Sequence, residues 1–165
     1  MKPDTIILHH SATEDGPSVS WGLIRRYHTS WRCLGRIVTA EEVQALNLRF
    51  LPVEAPWDDI GYHFGIELAG AAHEILAGRM PDVQGAHCIE HGMNRRSIGI
   101  CFVGNFDLTP VPESMWQAGV TLVRYLMRAL GIDAARVYGH REFALHKNCP
   151  GRLFDLDQFR RDLRQ

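Results

Sequence analysis

Apolar positions along this chain switch repeatedly between strand-like and helical spacing, and the switches mark out an alternation of elements. Thr5-Ile6-Ile7-Leu8 is a short apolar run that reads as a buried strand. Ser18 or Ser20 as N-cap, followed by Trp21, Ile24 and Tyr27 or His28 at helical spacing, predicts a first helix. Thr39-Ala40-Glu41-Glu42 has the form of a capping box and opens a short helix through about Leu46. The stretch with Pro52, Pro56 and Trp57 reads as loop. Strands follow at about Tyr62 to Leu68 and Ala72 to Leu76, with Ala69-Gly70-Ala71 as a hairpin turn. Ser97 to Val103 is apolar nearly throughout, as in a central strand buried on both faces. Pro112 and Gly131 bracket the longest helix, whose Trp116, Val120, Val123, Leu126, Met127 and Leu130 form its inward stripe. Asp133 to Tyr138 leads into a last short strand, and an amphipathic helix near Asp155 to Leu163 closes the chain. Strands and helices interleave, so the fold class is α/β: a mixed central β-sheet flanked by α-helices.

Composition adds bounds. A chain of 165 residues has the usual size of one domain and can bury a real core. With 18 basic and 19 acidic residues the net charge is −1, which gives no electrostatic reason to expect nucleic acid or an anionic membrane as partner. No run approaches the roughly 20 apolar residues that span a bilayer, and the N-terminus lacks the apolar core of a signal peptide, so the chain reads as cytoplasmic as synthesised; a monomer is expected. The four cysteines, Cys33, Cys88, Cys101 and Cys149, are then reduced thiols.

Candidate chemistry sits at the two ends of the chain. Gly139-His140-Arg141-Glu142 is followed by Lys147-Asn148-Cys149-Pro150-Gly151, which places an imidazole, an ammonium and a thiol in one short loop. The first strand runs straight into His9-His10-Ser11-Ala12-Thr13, and a ligand at a strand end can reach such a loop. His9, His140 and Cys149 make three protein ligands, the number that leaves a fourth position open in a catalytic zinc site. Their nitrogen and sulfur donors favour zinc over magnesium or calcium. His10 competes with His9, because adjacent strand residues point to opposite faces.

Ile7 to Thr13, Ile60-Gly61-Tyr62-His63-Phe64, Gly85-Ala86-His87, Asn94 to Ile100, Val103-Gly104-Asn105-Phe106, Gly139 to Glu142 and Cys149-Pro150-Gly151 together make a pattern. In these segments the chain resembles the zinc-dependent N-acetylmuramoyl-L-alanine amidases, a family that includes the T7-type phage lysozymes and the peptidoglycan recognition proteins. These segments stand in family order across nearly the whole chain. The resemblance implies a single amidase domain over residues 1–165, one zinc ion on His9, His140 and Cys149, and Tyr62 as an active-site tyrosine. It implies Lys147 as the catalytic cation and His87 and Asn94 as residues lining the substrate groove. The implied reaction is hydrolysis of the amide between the lactyl group of N-acetylmuramic acid and L-alanine, with peptidoglycan or a muropeptide as substrate.

Two departures from the family pattern stand out. The loop from His140 to Cys149 is one residue longer than usual, so His146 competes for the place given to Lys147. An insertion at about residues 33–59 reads either as a wall of the groove or as a helical surface elaboration. Arg95 and Arg96 read either as a fork for stem-peptide carboxylates or as a solvated basic turn. Cys88 and Cys101 read as small core residues. The role expected is that of a phage or prophage endolysin; the alternatives are a cytoplasmic muropeptide-recycling amidase and a non-catalytic peptidoglycan-binding module.

Overall fold

The computed structural model describes residues 1–13 and 20–165. In chain order the elements are β1 (Thr5–His10), α1 (Trp21–His28), β2 (Arg32–Cys33), β3 (Arg36–Ile37), α2 (Ala40–Leu48), β4 (Val53–Glu54), β5 (Phe64–Ala69), β6 (Ala72–Ala77), β7 (Ser97–Phe102), α3 (Glu113–Leu130), β8 (Val137–Gly139) and α4 (Leu156–Leu163). Five strands form a mixed sheet in the order β6-β5-β7-β1-β8. β6 alone runs antiparallel to its neighbour, as the hairpin turn at Gly70 (φ +65°) requires. The apolar runs of β1 and β7 occupy interior places and are buried along their whole length.

Alternation along the strands builds two different faces. Ile6, Leu8, Ile66, Ile98, Ile100 and Phe102 point to one side and form the main core with α3 and α4. Ile7 and Cys101 point to the other side, where Trp21, Ile60, Cys88 and Met93 pack. On that second face the sheet carries Gly65 and Gly99, and a Cβ at Gly65 would lie 2.4 Å from the Trp21 ring. The missing side chains let aromatic rings lie directly on the backbone.

Caps place the helices as the sequence suggests. Ser20 accepts from the Leu23 amide at the start of α1, while Ser18 lies outside the described residues. Thr39 and Glu42 make the reciprocal capping box of α2, and Gly131 ends α3 in the left-handed conformation. The buried stripe of α3 is shifted from the expected one. Met115 and Leu122 are buried with Val120, Val123 and Leu126, whereas Trp116, Met127 and Leu130 are only partly covered. Gly119 explains part of the shift, since a Cβ there would lie 2.6 Å from the Phe102 ring. β5 begins at Phe64, so Tyr62 precedes the strand instead of lying on it. Gly61 is the reason, because it packs so closely on the next loop that a Cβ would lie 2.6 Å from the Ala86 carbonyl oxygen.

The insertion folds as a small β3-β2-β4 sheet beside α2. Arg32 fastens it to α1. Its side chain is 1% exposed and donates to the carbonyl oxygens of Tyr27 and His28 and to Glu54, with its guanidinium 4.7 Å from the Trp57 ring centroid. Arg32→Ala removes a donor from the carbonyls of Tyr27 and His28 and the guanidinium that lies over the Trp57 ring. It is expected to lower stability by roughly 2–4 kcal/mol in urea unfolding, and a loss under about 0.5 kcal/mol would contradict this role.

Candidate metal-binding active site

Two neighbouring parallel strands end side by side. β1 pairs with β8 so that Leu8 lies opposite Gly139, and the residue that follows each of these two is a histidine, His140 opening the turn after β8. His9 and His140 therefore emerge together, with ring centroids 4.6 Å apart. The carboxyl ends of strands in an open α/β sheet are where ligands gather.

Strand alternation decides between the two adjacent histidines. His9 shares the face of Ile7 and meets the rings of Tyr62 and His87 at 5.3 and 5.0 Å. His10 turns to the other face, where its Nδ1 accepts the Phe106 amide at 3.3 Å.

Cys149 comes from a loop tied back to the His140 turn. The Arg141 amide donates to the Cys149 carbonyl oxygen at 2.7 Å, and its guanidinium donates to the carbonyl oxygens of Asn148, Gly151 and Phe154. The sulfur receives the His10 amide at 3.4 Å and lies 3.6 Å from His9 Nδ1.

The donor atoms of His9, His140 and Cys149 all lie within 4.8 Å of one another. Zinc bonds of about 2.05 Å to nitrogen and 2.3 Å to sulfur at a tetrahedral angle would hold those two atoms about 3.6 Å apart. That is the separation found between His9 Nδ1 and Cys149 Sγ. Nε2 of His140 is buried without a hydrogen bond, the Glu90 carboxylate standing 3.5 Å away. A metal ion would satisfy this otherwise costly nitrogen. Cys88, Glu90 and His140 form a second donor set, but there the Cys88 thiol is engaged with Glu90 Oε2 at 3.4 Å.

Electrostatics suit neutral nitrogen donors. Burial holds His9 well below the ordinary imidazole value, and the nearby His87 and His140 push in the same direction. Burial lowers His140 as well, with Lys147 adding to the effect. Burial pushes the Cys149 thiol up to about 12, opposed by the His10 amide, Lys147 and Arg141. A metal ion bound here must therefore displace the thiol proton.

Burial also lowers His87 to about 3 and His28 to about 4. Below the unfolded value near 6.5 the unfolded chain takes up these protons and the folded chain does not. Stability is thus full above pH 6.5 and falls as pH drops toward the folded values. Each of the two histidines is expected to remove about 1.4 kcal/mol per pH unit in that window. Unfolding measured from pH 7 to 5 checks this, and a flat profile would contradict it.

The site opens into a cavity of about 730 Å³ whose wall includes His9, Tyr62, His87, Asn94, His140, Lys147 and Cys149. The three proposed ligands and Tyr62, Lys147, His87 and Asn94 thus line one cavity. Burial keeps the Tyr62 phenol well above its ordinary value, so it remains a proton donor. Lys147 is exposed on the cavity wall, whereas His146 is absent from that wall. Asn94 uses its side-chain oxygen to accept the amides of His87 and Cys88 at 2.8 and 2.7 Å, which holds the loop that carries His87.

Other residues of the wall carry no signal in the sequence. Trp57, from the insertion, stacks on His28 at 4.6 Å, and both line the cavity, as does Glu90. The insertion thus contributes part of the wall. Arg95 and Arg96 are not on it, and the guanidinium of Arg96 is taken up by Asp4. Cys88 and Cys101 are buried, as expected of small core residues.

The endolysin of Escherichia phage T7 is 31% identical over 162 residues, covering 94% of this chain and 84% of that protein. Peptidoglycan-recognition protein LB of Drosophila melanogaster is 36% identical over 107 residues, 64% of this chain; the match spans 44% of that protein's length. Among solved structures, the amidase LysC from Clostridium intestinale superposes over 99% of this chain and 86% of its own, with a TM-score of 0.68 at 24% identity, a likeness of fold. A Drosophila PGRP-LB mutant in complex with tracheal cytotoxin superposes over 92% of this chain and 78% of its own, with a TM-score of 0.64 at 25% identity. Residues 1–152 match the family model described as N-acetylmuramoyl-L-alanine amidase, and the chain belongs to that family.

Proposed function

We propose that this chain is a zinc-dependent hydrolase of the amide between N-acetylmuramic acid and L-alanine, acting on peptidoglycan as an endolysin. The observation that carries the reading is the convergence of His9, His140 and Cys149 donor atoms at the floor of a cavity with Tyr62 and Lys147 on its wall. The likeness to the T7 endolysin over 94% of the chain supports the endolysin role. The presence of Cys149 among the three donors speaks against a non-catalytic binding module. No helix among the described residues is long and apolar enough to cross a membrane.

In this reading His9, His140 and Cys149 hold the ion, which supplies Lewis acidity that activates a water and polarises the scissile carbonyl near neutral pH. Tyr62 presents its phenolic hydrogen to the reacting oxygen. Lys147 aims a positive charge at the carbonyl oxygen as negative charge develops there, a contribution worth about 2.7–4 kcal/mol for a well-placed donor. The cavity wall with Trp57 and His28 seats the substrate beside these groups.

Clearing of a sacculus suspension tests the proposal. The protein is expected to clear intact sacculi, to stop with a chelator and to recover with added zinc. Cleavage of small anhydro-muropeptides without action on sacculi would replace the endolysin role by recycling. Binding to sacculi with no release would overturn the hydrolase reading.

A further inference from the structure

His87 lies deeper than a groove-lining residue needs to. It is 8% exposed, and its ring rests on backbone that only glycine leaves open: a Cβ at Gly85 or at Gly99 would come within 2.5 Å of it. Its Nε2 stands 3.4 Å from the Ser97 carbonyl oxygen, and its Nδ1 stands 3.0 Å from His9 Nε2. A carbonyl oxygen can only accept, so the hydrogen of a neutral His87 belongs on Nε2 and its Nδ1 is an acceptor. The hydrogen between the two rings then belongs to His9 Nε2. His9 Nδ1 is left as the bare nitrogen, and it is the one 3.6 Å from the Cys149 sulfur.

The same backbone keying recurs in the neighbouring ring. His63 Nδ1 accepts the Gly99 amide at 2.9 Å, so its Nε2 donates to the Val83 carbonyl oxygen at 3.0 Å.

We propose that His87 is a positioning residue for the metal site: it takes the hydrogen bond from His9 Nε2–H, and so holds His9 in the tautomer and orientation that turn its Nδ1 lone pair toward the metal. The chain of hydrogen bonds runs from His9 through His87 to the Ser97 carbonyl. Outer partners of this kind fix the ring and raise the basicity of a ligating histidine, and their loss typically costs 10–100-fold in metal affinity. The proposal rests on the zinc reading above.

Zinc affinity, measured by competition with a chromophoric chelator on the full chain, provides the test. His87→Phe keeps a ring of similar size but offers no acceptor, and is expected to weaken zinc binding 10–100-fold. His87→Asn places an acceptor near the former Nδ1 and is expected to recover most of that loss. Nitrogen-15 spectra of the metal-free wild type are expected to show His9 as the Nε2–H tautomer, and this holds as a test even if a variant does not fold. Unchanged zinc affinity in His87→Phe, or a wild-type His9 carrying its hydrogen on Nδ1, would overturn the proposal. Equal zinc affinity in the wild type and in Cys149→Ala would mark failure of the zinc reading itself, and the positioning role would fall with it.

Discussion

Cys149→Ala is expected to abolish amide hydrolysis and to purify with little zinc, while keeping its fold. The thiol gives the site its only sulfur donor and, once deprotonated, its only negative charge among the three proposed ligands. Removing it costs more than removing an outer partner, so the loss of activity should exceed the 10–100-fold range of outer-shell changes, reaching at least about 10³-fold. Folding should survive, because Cys149 is only partly buried and the loop is held through its backbone carbonyl and the Arg141 guanidinium. Metal analysis beside circular dichroism separates the outcomes. A folded variant that kept full activity with zinc bound would show that the ligand set is wrong.

Lys147→Ala carries the second large effect. Its ammonium is the cation on the cavity wall next to the donors, close enough to lower His9 and His140 and to oppose the rise of the Cys149 thiol. As a donor to the developing charge it should cost about 10²–10³ in kcat when removed, with zinc content unchanged. Since the charge belongs to the transition state, KM should move far less than kcat. His146→Ala, one residue away but off the cavity wall, is the matched comparison and is expected to stay near wild-type activity. If His146→Ala lost the activity and Lys147→Ala kept it, the one-residue extension of this loop would have shifted the catalytic role to His146.

Much of this site could be read in advance because its parts lie where local rules are strong. A continuous apolar run ending in His9-His10 makes a strand that delivers a histidine, and alternation forces one of the pair to the far face. The Gly139-His140 pair at the end of β8 and the Cys149 loop follow the same logic. Central β7, the capped α2 and the Gly131 end of α3 were legible for similar reasons, each set by residues within one element.

What escaped the sequence depends on contacts between distant segments. Tyr62 read as a strand residue because its apolar neighbours alternate, yet close packing of Gly61 on the Ala86 carbonyl delays the strand to Phe64. His87 read as a groove residue because nothing local shows that Gly85 and Gly99 open a slot for its ring beside His9. Arg96 read as a possible carboxylate fork, although Asp4, 92 residues earlier, occupies its guanidinium. Trp57 reaches the cavity through contacts with α1, its amide donating to the His28 carbonyl oxygen and its ring lying between His28 and the buried Arg32.

Product identification tests the central claim most directly. Purified peptidoglycan is digested with the zinc-loaded protein, with and without chelator, and the soluble products are sequenced by mass spectrometry. Stem peptides with a free L-alanine amino terminus and glycan strands with intact glycosidic bonds, formed only without chelator, are the expected result. Cleaved glycosidic bonds, cuts within the stem peptide, or the same products in the presence of chelator would contradict it.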